Sequence, residues 1–158
     1  MCLLDGAVVY ENRGKHRHLP CFHNTYEIIA WEKTDIKKPL EYYIEGFISL
    51  QVRVPSIPVD KKRNHTFRVV TSVENNLISI NGAVKTKVEK FISQRTGMTV
   101  ERGGSGYEYW FLYRNEGCVF FMRRLTYPYN EIPAAKGELR PELVYLLNYL
   151  SRPTPDDI

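Results

Sequence analysis

Four side chains of the kinds that bind metals or act as nucleophiles lie close together near the amino terminus: His16, His18, Cys21 and His23. Their spacing, H-x-H-x2-C-x-H, matches none of the ligand spacings that are typical of zinc sites. We therefore expect no metal site here, but a basic loop in which Cys21 is a small buried apolar side chain. A hydrolase that uses one of these histidines would need a paired nucleophile, and none stands at a meaningful spacing.

Two further motifs resemble chemical sites but stand in the wrong context. The glycines of Gly103–Gly106 precede a predicted strand, whereas a phosphate-binding loop must open a helix. Cys118 lies in the apolar strand CVFFM, where burial raises the pKa of a thiol and makes it unreactive. The sequence thus contains no self-contained catalytic constellation, so we expect this chain alone to be neither an enzyme nor a cofactor-binding protein.

The positive charge of the chain is concentrated in one stretch. The net charge of the 158 residues is +4, but residues 61–95 carry eight Lys or Arg side chains against only Glu74 and Glu89. Such a concentration is typical of a phosphate-binding surface, and a solvated helix face is the alternative. The candidate phosphate-binding residues, including two from a later strand, are Lys61, Lys62, Arg63, Arg68, Lys85, Lys87, Lys90, Arg95, Arg123 and Arg124.

The composition excludes several other classes of protein. The length of 158 residues fits one ordinary domain or two small ones, and 43% hydrophobic with 13% aromatic residues is typical of a folded chain. The chain has only three cysteines, which is a small and odd number, so a disulfide framework is not expected. We therefore expect a reducing, cytoplasmic location. No apolar run approaches the ~20 residues of a transmembrane helix, and the first residues lack the features of a signal peptide.

The periodicity of apolar residues predicts a mixed α+β chain. Strands are predicted at residues 6–12, 24–33, 67–73, 107–114 and 118–124, and helices begin at Pro39, at Asn76 and near Glu138. The apolar side of the second helix consists of Leu77, Ile80, Val84, Val88, Phe91 and Ile92, and Gly97 ends it. Its outward stripe consists of Ala83, Lys87, Lys90 and Gln94, with Lys85 on the flank.

An aromatic stripe alternates along the first strand of the predicted hairpin. It consists of Tyr107, Tyr109, Phe111 and Tyr113, and the turn Asn115-Glu116-Gly117 follows. We expect these rings in the hydrophobic core, with stacking on unpaired bases as the alternative.

The order of these elements resembles that of a THUMP-domain RNA methyltransferase. The resemblance rests on FRVVTSV, the basic helix ending in QRTGMTVE, the hairpin YEYWFLYRNEGCVFFMRRLTY and the ending GELRPELVYLLNYLSRPTPDDI. It covers about residues 38–158. In the ending, the residues that match the family pattern are Leu139, Arg140, Leu143, Leu147, Leu150, Pro155 and Asp157.

The resemblance implies a domain organisation and a function. Residues 1–37 would be a partial ferredoxin-like segment, 38–135 a THUMP-like RNA-binding domain, and 136–158 a linker helix leading toward a methyltransferase domain in cis. The chain would dock the acceptor end of tRNA, not DNA or a membrane, for a parent enzyme that methylates guanine N2 with S-adenosylmethionine. It contains neither that family's cofactor motif nor its catalytic motif. The alternative is a protein-interaction or regulatory domain whose basic face binds an acidic partner.

Overall fold

The computed structural model describes residues 2–4, 7–9, 11, 24–55, 65–103, 106–126, 139 and 141–151. The chain divides into two compact units, one of which is continuous from Tyr26 to Arg124. The other combines Met1–Thr25 with Leu125–Ile158. In chain order the elements are β1 (Cys2–Leu4), β2 (Ala7–Val9), β3 (Tyr26–Lys33), α1 (Leu40–Ser49), β4 (Thr66–Val73), β5 (Asn76–Leu77), α2 (Gly82–Thr96), β6 (Thr99–Val100), β7 (Tyr107–Tyr113), β8 (Cys118–Arg124) and α3 (Pro141–Ser151).

The continuous unit is built on a mixed six-stranded sheet in the order β3-β8-β7-β4-β5, with β6 also pairing with β4. Strands β3, β8 and β7 are antiparallel neighbours, whereas β4 and β7 run parallel. A parallel pair needs a crossover connection, and α2 lies between these two strands in the chain. The unit starts at Tyr26, because β3 pairs with β8 from Tyr26 to Lys33.

The core lies between one face of this sheet and the helices α1 and α2. The predicted aromatic stripe on β7 is buried along its whole length, and Tyr109 and Phe111 are almost fully enclosed. Phe111 stacks on Phe121 of β8 with ring centroids 4.4 Å apart, and Phe47 of α1 packs against both rings. The expectation that this stripe forms core is confirmed.

Helix α1 begins where the sequence predicts it. Pro39 takes an extended conformation at the N-cap, and Leu40 and Ile44 are among the residues that α1 buries, as its apolar spacing requires. The apolar pattern LEYYIEGFISLQV extends to Val52, but the helix ends at Ser49. It ends there because the amide groups of Gln51 and Val52 donate hydrogen bonds to carbonyl groups of the last helical turn.

Helix α2 begins later than predicted. Residues 76–80 do not form its first turn, because Asn76 and Leu77 form β5 and pair with β4, and Leu77 is 71% exposed. The Asn81 side chain instead accepts the Ala83 amide hydrogen at 2.8 Å and caps the helix. At the other end Gly97 adopts a left-handed φ of 72°, so the predicted stop is confirmed.

The second unit contributes two short strands and one helix. Strands β1 and β2 form an antiparallel pair; β2 lies within the strand predicted at residues 6–12, and β1 was not predicted. Helix α3 begins at Pro141. Proline suits the first position of a helix, because the amide hydrogen that it lacks would have no partner within the helix there. The apolar residues Leu143, Leu147 and Leu150 of α3 are exposed. No helix within the described ranges is long and apolar enough to cross a membrane.

Candidate nucleic-acid interface

Helix α2 presents Lys87 and Lys90 on the face turned away from the sheet. Val84, Val88 and Ile92 recur every four residues and are buried, which fixes the rotation of the helix. Lys87 and Lys90 therefore point to solvent, as the sequence predicts.

Three of the candidate cations border one open groove between α1 and α2. The cations are Lys87, Lys90 and Arg95, and the groove measures about 480 Å³. Its remaining lining consists of Ile48, Gln51, Phe91 and Gln94. The groove thus combines three positive side chains with two amides and an apolar floor, a combination suited to a sugar-phosphate chain.

The three cations differ in how they are held. Lys87 Nζ lies 2.8 Å from Glu45 Oε1, and because both side chains are about half exposed, the pair is weak. Arg95 donates a hydrogen bond from Nη2 to Gln51 Oε1, and its guanidinium lies 5.5 Å from the centre of the Phe91 ring. Lys90 has no carboxylate partner within the part of the chain that the structure describes. The groove therefore keeps a net positive charge.

Lys85 does not join this groove. It lines a smaller groove of about 210 Å³ at the edge of the sheet, beside Val69, Leu77 and Ile80. This position agrees with its predicted place on the flank of the helix, but it separates Lys85 from the other three cations of α2.

Arg68 and Arg124 share one buried carboxylate on the sheet face opposite the helices. Glu108 is 3% exposed; its Oε1 accepts a hydrogen bond from Arg68 Nε at 3.0 Å and its Oε2 one from Arg124 Nη1 at 3.2 Å. The indole of Trp110 donates to Oε2 at 2.9 Å. Burial by itself would raise the pKa of Glu108, but the Trp110 hydrogen bond and the two guanidinium groups outweigh it, so the pKa lies below its usual value.

Arg123 points to the helix side of the sheet, because side chains alternate along a strand. Its Nη2 lies 2.6 Å from Glu27 Oε2 on β3, and the arginine side chain is 14% exposed. Lys61, Lys62 and Arg63 lie outside the described residues. The ten candidate residues are therefore not one surface: Lys87, Lys90 and Arg95 come together, and the other described cations lie in three other places.

Sequence reasoning missed the partners of these cations. Gln51 borders the groove from the end of α1, and Glu45 reaches Lys87 from the same helix. Both residues are far from α2 in the chain, and neither belongs to a motif. No local signal could have found them, because only the packing of α1 against α2 brings them to the groove.

Among the residues that the structure describes, the other candidate chemical groups offer no second site. Cys118 is buried in β8, as predicted. The cluster of His16, His18, Cys21 and His23 lies outside the described residues, and within those residues no group of His, Cys, Asp or Glu could hold a metal ion.

Comparison with solved structures identifies a similar fold. The crystal structure of TrmN from Thermus thermophilus matches with a TM-score of 0.54 and 18% sequence identity. The match covers 85% of this chain. The fold is THUMP-like. It is a mixed α+β fold, as predicted, and its sheet has six strands. At this level of identity the likeness concerns the fold alone.

This chain corresponds to only part of TrmN, since the match covers 40% of the TrmN chain. No protein-family model matches the sequence, and no curated protein matches it significantly. The groove and the fold are therefore the two features that indicate a function.

Proposed function

We propose that this chain is an RNA-binding module that docks the acceptor end of tRNA. One observation carries the proposal: Lys87, Lys90 and Arg95 border a single groove on a THUMP-like fold. TrmN has a similar fold, and the sequence of this chain resembles that of THUMP-domain RNA methyltransferases. A phosphate-binding site needs cations that lie close together, and these three lie on one helix.

The proposed mechanism is recognition of charge and shape. Base edges in the deep, narrow major groove of an RNA helix are closed to side chains, so proteins bind phosphates, 2′-hydroxyls and unpaired ends. Lys90 and Arg95 would bind phosphates directly, while Lys87 would exchange its contact with Glu45 for a phosphate. The amide of Gln94 can donate and accept hydrogen bonds, and so can pair with a 2′-hydroxyl.

We further propose that the module serves an S-adenosylmethionine-dependent enzyme that methylates guanine N2, with the methyltransferase domain in cis. This part rests on the resemblance of the sequence to THUMP-domain RNA methyltransferases. The chain itself would bind RNA and orient it, and the catalytic residues and the cofactor site would lie in the other domain.

The test is to measure tRNA binding by a variant in which two charges are reversed, Lys87→Glu with Lys90→Glu. Because both side chains are exposed, the variant should keep its melting temperature. Its affinity for tRNA, measured by fluorescence anisotropy at low salt, should fall at least tenfold. Lys33→Glu is the control for position, because it reverses the charge of one exposed lysine on β3, away from the groove.

Three outcomes would contradict the proposal. An unchanged tRNA affinity in the double variant would remove the α1–α2 groove from the binding surface. Equal competition by intact tRNA and by tRNA lacking its acceptor end would refute docking of that end. Absence of RNA binding even at low salt would favour the alternative, a domain that binds an acidic protein.

A further inference from the structure

Helix α1 ends in an unusual way at the border of the groove. The Gln51 amide donates to the Ile48 carbonyl at 3.0 Å, and the Val52 amide donates to the Phe47 carbonyl at 3.3 Å. These two bonds are those of a Schellman motif, in which the residue at the position of Gln51 takes a left-handed conformation. Gln51 has a φ of 51°, so a glutamine occupies a position at which glycine is favoured.

The side chain of Gln51 shows what glycine could not provide at this position. Gln51 Oε1 accepts a hydrogen bond from Arg95 Nη2, and Gln51 Nε2 donates to the Ile48 carbonyl at 3.3 Å. The amide is thus held at one end by α1 and itself holds the guanidinium of α2. The Phe91 ring flanks the same guanidinium, at 5.5 Å. Two contacts therefore restrict Arg95 although its side chain is exposed.

Holding an arginine in place matters for binding an anion. A guanidinium carries five N–H donors in a rigid plane, and the contact with Gln51 uses only a donor on Nη2. The remaining donors can form the paired hydrogen bonds with which arginine binds phosphate oxygens. Because the side chain is ordered before the ligand arrives, less conformational entropy is lost on binding.

We propose that Gln51, Arg95 and Lys90 form a phosphodiester subsite at one end of the α1–α2 groove, in which Gln51 is the positioning residue. This inference rests on the proposed function, because it takes an RNA phosphate as the ligand. It adds that the strained backbone of Gln51 is retained for the sake of binding. Stability and RNA affinity should therefore respond to a change of this residue in opposite directions.

The test is the substitution Gln51→Gly in the full chain. Glycine suits the left-handed φ, so the melting temperature should stay the same or rise. The tRNA affinity should fall about fivefold, because Arg95 loses the partner that orders it. A matched control is Gln94→Ala, which removes an amide from the same groove, whereas the hydrogen bond of Arg95 goes to Gln51. This control should weaken binding less.

A double-variant cycle shows whether Gln51 acts through Arg95. In an Arg95→Met background, Gln51→Gly should have no further effect on tRNA affinity. An equal loss of affinity in both backgrounds would overturn the inference, as would an unchanged affinity of Gln51→Gly alone.

The failure of this inference is distinguishable from failure of the proposed function. If Lys87→Glu with Lys90→Glu weakens tRNA binding but Gln51→Gly does not, the module binds RNA and the positioning role is wrong. If the double charge reversal leaves tRNA affinity unchanged, the groove is not an RNA site and both proposals are wrong.

Discussion

The salt dependence of RNA binding should report how many cations of the α1–α2 groove contact phosphates. Lys87, Lys90 and Arg95 border the groove, and each that neutralises a phosphate releases a counterion from the RNA. The double variant Lys87→Glu with Lys90→Glu keeps only Arg95. The structure therefore predicts two different slopes of the logarithm of the binding constant against the logarithm of the salt concentration.

The magnitude follows from the count of cations. Each phosphate contact contributes about −0.7 to the slope for single strands and about −0.9 for a duplex, so the groove should contribute about −2 to −3. Between 50 and 200 mM salt, the affinity through these three contacts would fall about 20- to 40-fold. The double variant should lose only about threefold over the same range.

The assay is fluorescence anisotropy of labelled tRNA at four or more salt concentrations, with both proteins in the same buffer. Cations outside the groove add the same amount to both slopes, so the difference between the slopes is the quantity to compare. Lys33→Glu, which lies away from the groove, should keep the slope of the unmodified protein. Parallel slopes for the double variant and the unmodified protein would refute phosphate contacts by Lys87 and Lys90.

Three further predictions concern single substitutions. Glu45→Gln should raise tRNA affinity about threefold in the anisotropy assay, because it frees Lys87 from an exposed ion pair; a weaker affinity would show that Glu45 instead orients the lysine. Glu108→Gln should cost about 3 kcal/mol of unfolding free energy in urea at pH 7, because two guanidinium groups lose their carboxylate. Because the pKa of Glu108 is lowered in the folded protein, this stabilisation is present above the ordinary glutamate pKa and disappears as the pH falls through the folded-state pKa. If Glu108→Gln lowered the unfolding free energy equally at every pH, the ionised state assigned to Glu108 would be wrong. Gly117→Ala should lower the unfolding free energy by about 2 kcal/mol, because its φ is 73° and the added methyl group would meet a backbone carbonyl. Gly46→Ala in α1 has room for the methyl group and should raise the unfolding free energy in the same urea titration.

Local patterns in the sequence were sufficient to predict most elements of the continuous unit. The alternation of aromatic residues on β7 predicted a buried stripe, and Gly97 and Gly117 marked the end of α2 and the turn of the hairpin. These predictions succeed because each depends on residues adjacent in the chain, where side-chain periodicity and the conformational freedom of glycine act directly.

The start of α2 shows where local patterns are insufficient. Leu77 and Ile80 fit the apolar spacing of the helix, but their segment pairs with β4 instead, and the Ile78 amide donates to the Thr71 carbonyl at 3.0 Å. Pairing with a strand already in the sheet satisfies backbone groups that a further helical turn would also satisfy. The choice between them depends on the tertiary fold, which a helical pattern cannot report.

For the candidate site, the sequence by itself determined which residues are basic and that Lys87 and Lys90 share the outward face of one helix. That follows from the 3.6-residue period and from the buried partners Val84 and Val88. Only the tertiary structure decided which cations act together. Packing of α1 against α2 brings Gln51 to Arg95 across 44 positions of the chain, while the pleat of β8 sends Arg123 and Arg124 to opposite faces of the sheet. Contacts between residues so far apart in the chain are set by how the elements pack, and a single sequence carries no local signal of that packing.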